Sequence, residues 1–187
     1  MRLTFAFALL VSFCVKAQNP CEFSSNVKDS IGEYKSTVNY LVHERNFGGT
    51  ASYMYFSMAL TDGLPTLNMQ SIQKSKDFIK ANCFDKNSRI YLQLESGKIV
   101  TLIHIDSDNC GTGVRTEGVN NRVLPGYFLF TKDAFEALKS SPVSLMRIKY
   151  STETVDYILK EEFQSELDSK TYSPSRYFMK VLPCLND

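Results

Sequence analysis

Two strand-like runs joined by a tight turn constrain the fold of this chain more than any other segment. Residues 89–95 (RIYLQLE) and 98–105 (KIVTLIHI) are rich in apolar and aromatic side chains, and only Ser96-Gly97 separates them. A two-residue loop that contains glycine, placed between two such runs, is a strong hairpin signal. The pattern therefore predicts a β-hairpin in which Leu94 lies opposite Ile99.

Residues 1–17 have the pattern of a secretory signal peptide. Met1-Arg2 gives a positive start, residues 3–15 are almost entirely apolar, and Ala17 ends a stretch that a signal peptidase would recognise. The apolar run is too short and wrongly flanked for a membrane span. Cleavage after Ala17 would leave 170 of the 187 residues, which suits a single domain over residues 18–187.

A lipoprotein signal is the less favoured interpretation of the same segment. Cys14 lies near the end of the apolar run, but Phe13 stands where lipoprotein processing needs a small residue. Cleavage after Ala17 would remove Cys14 with the signal. We therefore expect an exported, periplasmic or extracellular protein without a lipid anchor.

Four cysteines lie beyond the predicted signal peptide, at Cys21, Cys83, Cys110 and Cys184. An even number in an exported chain indicates two disulfides, for which three connectivities exist. Extending the hairpin register brings Cys83 opposite Cys110, and this favours a Cys83–Cys110 bond with Cys21–Cys184 by elimination. A metal site is disfavoured because the sequence contains no C-x-x-C pair.

The composition describes an ordinary globular domain, with 43% hydrophobic and 22% charged residues. Loss of Arg2 and Lys16 with the signal would leave 19 basic against 20 acidic residues. Such a balance argues against a nucleic-acid or anionic-membrane surface, which would need a clustered basic excess. No segment beyond the signal has the apolar length of a transmembrane helix. A protein or glycan partner in the cell envelope is the remaining expectation.

The rest of the chain predicts an α+β fold that consists mainly of antiparallel, sandwich-like β-sheet with a few short helices. Residues 51–60 (ASYMYFSMAL) suit a buried strand. Residues 143–150 and 155–160 form a second predicted hairpin, in which Lys149 lies opposite Asp156 on the polar face. One apolar and one polar face is typical of an antiparallel sheet that covers a core on one side.

Helical and loop segments complete the prediction. The region 107–123 is polar and contains glycine, and it is predicted to be a long connection. Short helices are predicted over residues 70–81, 132–139, 161–169 and 175–182, the last of which is the C-terminal helix.

One acidic segment nearly fits the calcium-loop pattern. Asp106 and Asp108 begin it, and Glu117 occupies its twelfth place, so these three carboxylates are the candidate metal ligands. Cys110 stands at the fifth position, where an oxygen ligand is expected, and Gly113 stands at the aliphatic eighth position. A solvated polar loop is therefore the favoured interpretation, and calcium is an alternative.

The sequence offers little support for catalysis. His43 and His104 are the only histidines, and no G-x-S-x-G motif presents a serine nucleophile. The predicted hairpin places His104 opposite Arg89 on the polar face, where a surface histidine is the favoured interpretation. A hydrolase that uses His104 and Ser107 is kept as an alternative.

The order of the segments resembles a known group of proteins. A "YLQLESGKIVTLIHI" unit is followed by "YFLFTKDAFEALKSS", then by "VSLMRIKY" and a closing "KVLPCL". This arrangement resembles small exported proteins of Bacteroidetes-type bacteria that have no assigned function. The resemblance implies an extracytoplasmic bacterial setting and carries over no catalytic residue. The resulting hypothesis is an exported protein with a non-enzymatic binding or structural role, with a calcium-stabilised extracellular module or a hydrolase as alternatives.

Overall fold

A computed structural model describes residues 21–185, and within them thirteen strands and two short helices. The predicted signal peptide and Cys14 lie outside the described residues. The strands are β1 Phe23–Lys28, β2 Glu33–Thr37, β3 Tyr40–Phe47, β4 Thr50–Thr61, β5 Leu64–Ser75, β6 Arg89–Leu94, β7 Ile99–His104, β8 Thr112–Thr116, β9 Val119–Phe130, β10 Val143–Lys149, β11 Thr154–Ile158, β12 Phe163–Gln164 and β13 Thr171–Tyr172. The helices are α1 Ala134–Ser140 and α2 Tyr177–Val181, and 3₁₀ turns Pro174–Arg176 and Leu182–Leu185 flank α2.

Eleven of these strands form one antiparallel sheet in the order β1-β2-β4-β5-β9-β7-β6-β10-β11. β3 pairs with the first half of β4, and β2 pairs with the second half of β4 along the same edge. In the same way β8 and β7 share one edge of β9. Strands β12 and β13 form a separate small hairpin. The predicted fold class is confirmed: an α+β protein with a sandwich-like antiparallel sheet and a C-terminal helix.

The first predicted hairpin is present as β6 and β7, but its register differs by one residue. Gln93, and not Leu94, lies opposite Ile99. The turn holds three residues instead of two, because the Leu94 N–H donates to the Lys98 carbonyl and Gly97 adopts φ 84°. A three-residue loop that ends in a left-handed glycine is a common hairpin connection, and its extra residue shifts the pairing.

The Cys83–Cys110 bond is confirmed, with the two Cα atoms 4.0 Å apart. Beside it, Phe84 and Asn109 exchange two backbone hydrogen bonds of 2.7 and 3.0 Å. The disulfide therefore continues the pairing of the β6–β7 hairpin beyond its open end.

The Cys21–Cys184 bond is confirmed as well. It joins the segment that leads into β1 to the 3₁₀ turn Leu182–Leu185 after α2, so both ends of the described chain are tied together. Two disulfides fit an oxidising, exported environment.

The second predicted hairpin is present as β10 and β11, with a register two residues from the prediction. Arg147, and not Lys149, lies opposite Asp156 and donates two hydrogen bonds of 2.6 and 2.7 Å to its carboxylate. A shift of two residues keeps every side chain on its predicted face, because side chains alternate with a period of two. Met146 and Ile148 are accordingly buried, as predicted.

Two predicted helices are wrong, and the predicted connection is largely strand. Residues 70–75 continue β5, which pairs with β4 and β9 along most of its length. The segment 161–169 contains β12, and 107–123 contains β8 and the start of β9. The prediction over residues 132–139 agrees with α1 to within two residues. At 175–182 the chain is helical, but it begins as a 3₁₀ turn.

The core lies between the concave face of the sheet and the C-terminal helix. Tyr177 and Phe178 of α2 pack against Phe56 of β4, with ring centroids 5.6 and 6.0 Å away. Under the disulfide, Phe84 reaches across Gly126, where a Cβ atom would lie 2.6 Å from its ring. The absence of a side chain at that strand position is therefore what lets Phe84 enter the core.

Removing each disulfide in turn should reveal how each constrains the chain. The Cys21–Cys184 bond closes a separation of 163 residues and Cys83–Cys110 one of 27 residues. Chain entropy gives stabilisations of about 5 and about 3.5 kcal/mol for such loops. We expect C21S/C184S to lower the free energy of unfolding in urea more than C83S/C110S does. The reverse order would show that local packing around Phe84 outweighs loop length.

Candidate functional site

The candidate functional site is a cleft between β3 and β11, two edge strands of the curved sheet. It has a volume of about 350 Å³. Each strand pairs on one side only, β3 with β4 and β11 with β10, and within residues 21–185 no strand pairing joins β3 to β11. Residues 42–45 line one wall, and the other is formed by Asp156, Tyr157, Ile158, Lys160 and Phe163.

Aromatic rings join the two walls of the cleft. The rings of His43 and Tyr157 meet edge to face, with centroids 5.1 Å apart. The hydroxyl of Tyr157 lies 3.4 Å from that of Tyr150, which is buried in the core. Burial raises the pKa of both tyrosines, so both hydroxyls stay protonated at neutral pH.

The histidine of the cleft is a neutral group. Burial lowers the pKa of the His43 imidazole, and the positive charges of Arg45 and Lys160 lower it further. Because its ordinary value is already near 6.5, His43 is uncharged at pH 7.

The carboxylates of the cleft are largely engaged by other groups. Arg147 binds Asp156 in a two-pronged ion pair, and this hydrogen bonding lowers the pKa of the Asp156 carboxyl. On the other wall, Oε1 of Glu44 accepts the Glu166 N–H at 3.2 Å, while its Oε2 is buried without a hydrogen-bond partner in the described chain. Asp156 and one oxygen of Glu44 are thus held by the protein itself.

The cations of the cleft are not paired with carboxylates. Lys160 lies over the ring of Phe163, with the ammonium 5.7 Å from the centroid, and Arg45 lies over Phe47 at 5.4 Å. In the part of the chain that the structure describes, neither cation has a carboxylate within 4 Å. The cleft therefore offers positive charge next to apolar and aromatic surface, which includes the exposed Ile158.

The second histidine is buried, contrary to the surface position predicted for it. His104 is 4% exposed and lies between the rings of Phe84 and Phe128, at 5.2 and 5.3 Å. The one-residue shift of the β6–β7 register is the reason, because it turns His104 to the core face. Its Nδ1 lies 3.1 Å from the Asp85 carbonyl, which fixes the proton on Nδ1, and its Nε2 is buried without a partner.

The hydrolase arrangement considered for His104 and Ser107 is absent from the described structure. The Ser107 hydroxyl lies 3.4 Å from Asp106, and the His104 imidazole donates to the Asp85 backbone carbonyl. Among residues 21–185, neither histidine is hydrogen-bonded to a hydroxyl or a carboxylate. A general base needs such contacts in order to act on a nucleophile.

The three candidate calcium ligands are not brought together. β8 runs between Asp108 and Glu117, and its four residue steps alone span about 13 Å. Glu117 instead occupies the β8–β9 turn with φ 52°, and Cys110 is held in its disulfide. Within the described residues, no group of three or more His, Cys, Asp or Glu side chains could hold a metal ion.

Comparison of the chain with protein-family models, with curated proteins and with solved structures finds no match in any of the three. No helix within residues 21–185 is both long and apolar enough to cross a membrane.

The cleft was not predicted from the sequence, because its walls are far apart in the chain and meet only through the curvature of the sheet.

His104 should make the stability of the protein depend on pH. Burial lowers its pKa below the ordinary 6.5, so the unfolded chain takes up the proton first as the pH falls. The contribution of the neutral, buried His104 to the free energy of unfolding is fully present above about pH 6.5 and is lost as the pH falls below it. We expect the urea concentration at the unfolding midpoint of the wild type to fall when the pH is lowered from about 7.5 to about 5.5, because this interval spans the titration of histidine in the unfolded chain.

The variant His104→Gln should weaken this pH dependence, whatever its effect on stability at pH 7.5. His43→Gln is the matched comparison, because burial also lowers the pKa of His43. This variant should remove only the part of the pH dependence that comes from His43. An unchanged dependence in His104→Gln would show that the buried imidazole is not the titrating group.

Proposed function

We propose that the protein is exported and acts outside the cytoplasm as a non-enzymatic binding protein. Two disulfides support export, since they use all four cysteines that cleavage after Ala17 would leave. The signal-peptide pattern and the resemblance to exported Bacteroidetes-type proteins support a bacterial envelope or extracellular setting. Both histidines lack a hydroxyl or carboxylate partner among the described residues, which favours binding over catalysis.

The ligand that fits the cleft combines an anionic group with an apolar part. The observation that carries this proposal is the pair of cations, Lys160 and Arg45, which lie over aromatic rings and lack carboxylate partners in the described chain. An anionic group of the ligand would pair with these two cations, while Tyr157 and Ile158 would contact its apolar part. Such a pocket, mostly apolar with a few polar groups, is typical of ligand sites.

Anilinonaphthalene sulfonate is a suitable first probe, because it carries a sulfonate on an apolar aromatic body. We expect saturable dye fluorescence, and Lys160→Glu should weaken binding by at least about tenfold, since hydrogen bonds to charged groups contribute about 1.5–3 kcal/mol. Lys132→Glu is the control, because Lys132 is exposed before α1 and does not line the cleft. Equal affinity for both variants would contradict the assignment of the cleft.

Export is tested independently of the ligand. The full chain, expressed in a Gram-negative host, should appear outside the cytoplasm with Gln18 as its first residue, as intact mass would show. Thiol titration under denaturing conditions should find no free thiol, because both disulfides are formed. A cytoplasmic product that retains residues 1–17 would contradict this proposal.

A further inference from the structure

The sheet register gathers three separate turns at one end of the molecule. Five neighbouring strands each contribute one residue to a single row of paired residues across the sheet. The row runs through Phe47 of β3, Thr50 of β4, Ser75 of β5, Asn120 of β9 and Arg115 of β8. Beyond this row lie the β3–β4 turn, the loop after β5 and the β8–β9 turn. We name this surface the Phe47–Phe78 end.

Large apolar side chains project from this end. Phe47 is 74% exposed beside the turn Gly48-Gly49, and Phe78 is 88% exposed in the loop after β5. Val114 of β8 is exposed beside them. Hollows of about 490 and 250 Å³ lie next to Phe47 and Phe78. The apolar groups thus stand on turns that protrude, and they do not line a single groove.

Cations surround these apolar side chains. Lys74 and Lys76 line the larger hollow, and Arg115 lines the smaller one. All three are exposed, and none has a carboxylate within 4 Å in the described chain. Asp77, next to Phe78, and Glu117 of the β8–β9 turn are acidic residues close to these cations in the chain.

The loop that carries Phe78 is held in place. Nδ2 of Asn120 donates to the Asp77 carbonyl at 2.8 Å and to the Lys76 carbonyl at 3.4 Å. The Arg115 guanidinium donates to Oδ1 of the same Asn120 at 3.1 Å. Side chains of β8 and β9 therefore hold Phe78 in its exposed position.

The opposite end of the sheet provides an internal comparison. Ile31 is 93% exposed there, beyond the residues that pair with the end of β4, about 36 Å from the Phe47–Phe78 end at the usual strand rise. Its neighbours include the carboxylates Asp29, Glu33 and Asp62, and Lys28 and Lys35 both pair with Glu33. Exposed apolar side chains thus stand among cations without carboxylate partners in the described chain at one end, and among carboxylates and paired lysines at the other.

We propose that the Phe47–Phe78 end docks onto the surface of an anionic lipid bilayer. The two phenylalanines would enter the boundary between headgroups and acyl chains, and the lysines would contact lipid phosphates. Apolar side chains combined with nearby Lys and Arg are what interfacial binding requires. Protruding turns fit a planar bilayer better than a protein groove, and this end adjoins the cleft where Arg45 lies over Phe47.

A single-tryptophan reporter tests this directly, because the chain contains no tryptophan. The purified variant Phe78→Trp is mixed with vesicles of equal parts phosphatidylglycerol and phosphatidylcholine. We expect a blue shift of its emission, and quenching by brominated acyl chains. Pure phosphatidylcholine should give no shift, and about 0.5 M salt should reverse binding because the charges are screened. Ile31→Trp is the matched control and should show no shift with either vesicle.

Two further variants separate entry of the phenylalanines into the bilayer from charge attraction alone. Lys74→Gln/Lys76→Gln should lower vesicle partitioning by about tenfold or more, since each surface cation contributes about fivefold. Phe47→Ser/Phe78→Ser should lower it in co-sedimentation as well. If the lysine change weakens vesicle binding and the phenylalanine change does not, the contact is charge attraction alone and the proposed entry of the phenylalanines into the bilayer is overturned. An unshifted Phe78→Trp spectrum with anionic vesicles at low salt also overturns it.

Discussion

The fold depends on closing a curved sheet whose edge strands β3 and β11 do not pair with each other within residues 21–185. The C-terminal segment bridges part of that seam: the Ser173 N–H donates to the Tyr40 hydroxyl at 2.7 Å, and the Ser175 N–H donates to the Lys160 carbonyl at 3.1 Å. The 3₁₀ turn Pro174–Arg176 is thereby tied to the β3 side and to the chain after β11. Backbone groups beside an open sheet edge need partners, and the turn supplies one for the Lys160 carbonyl without a strand. Where the turn does not reach, the cleft remains.

Local patterns predicted the elements of this fold better than their register. The glycine turn and the flanking cysteines correctly indicated the β6–β7 hairpin and the Cys83–Cys110 bond. The register was nevertheless wrong by one residue, because Glu95 joins the turn and Gly97 ends it. The cysteines still meet because the pairing shifts back by one residue at Phe84 and Asn109. The disulfide prediction thus succeeded through two deviations that cancel.

Errors of greater consequence for function arose where distant segments decide the structure. His104 was predicted on the surface, and a single register step turned it into the core, since every side chain changes face with such a step. Residues 70–75 have the composition of a short helix, but β4 and β9 flank them and complete the sheet through them. The cleft could not be predicted from local pattern, because His43 and Tyr157 are brought together only by the curvature of eight strands.

The same reasoning applies to charge. A predicted balance near −1 argued against an anionic surface partner, but a net charge says nothing about how charges are distributed. In an antiparallel sheet, turns that are far apart in sequence share one end, so Lys74, Lys76 and Arg115 lie at the Phe47–Phe78 end only because of the register. The carboxylates around Ile31 collect at the opposite end by the same rule. A sheet of long strands can therefore carry two oppositely charged ends at nearly zero net charge, and the excess at each end determines what that end attracts.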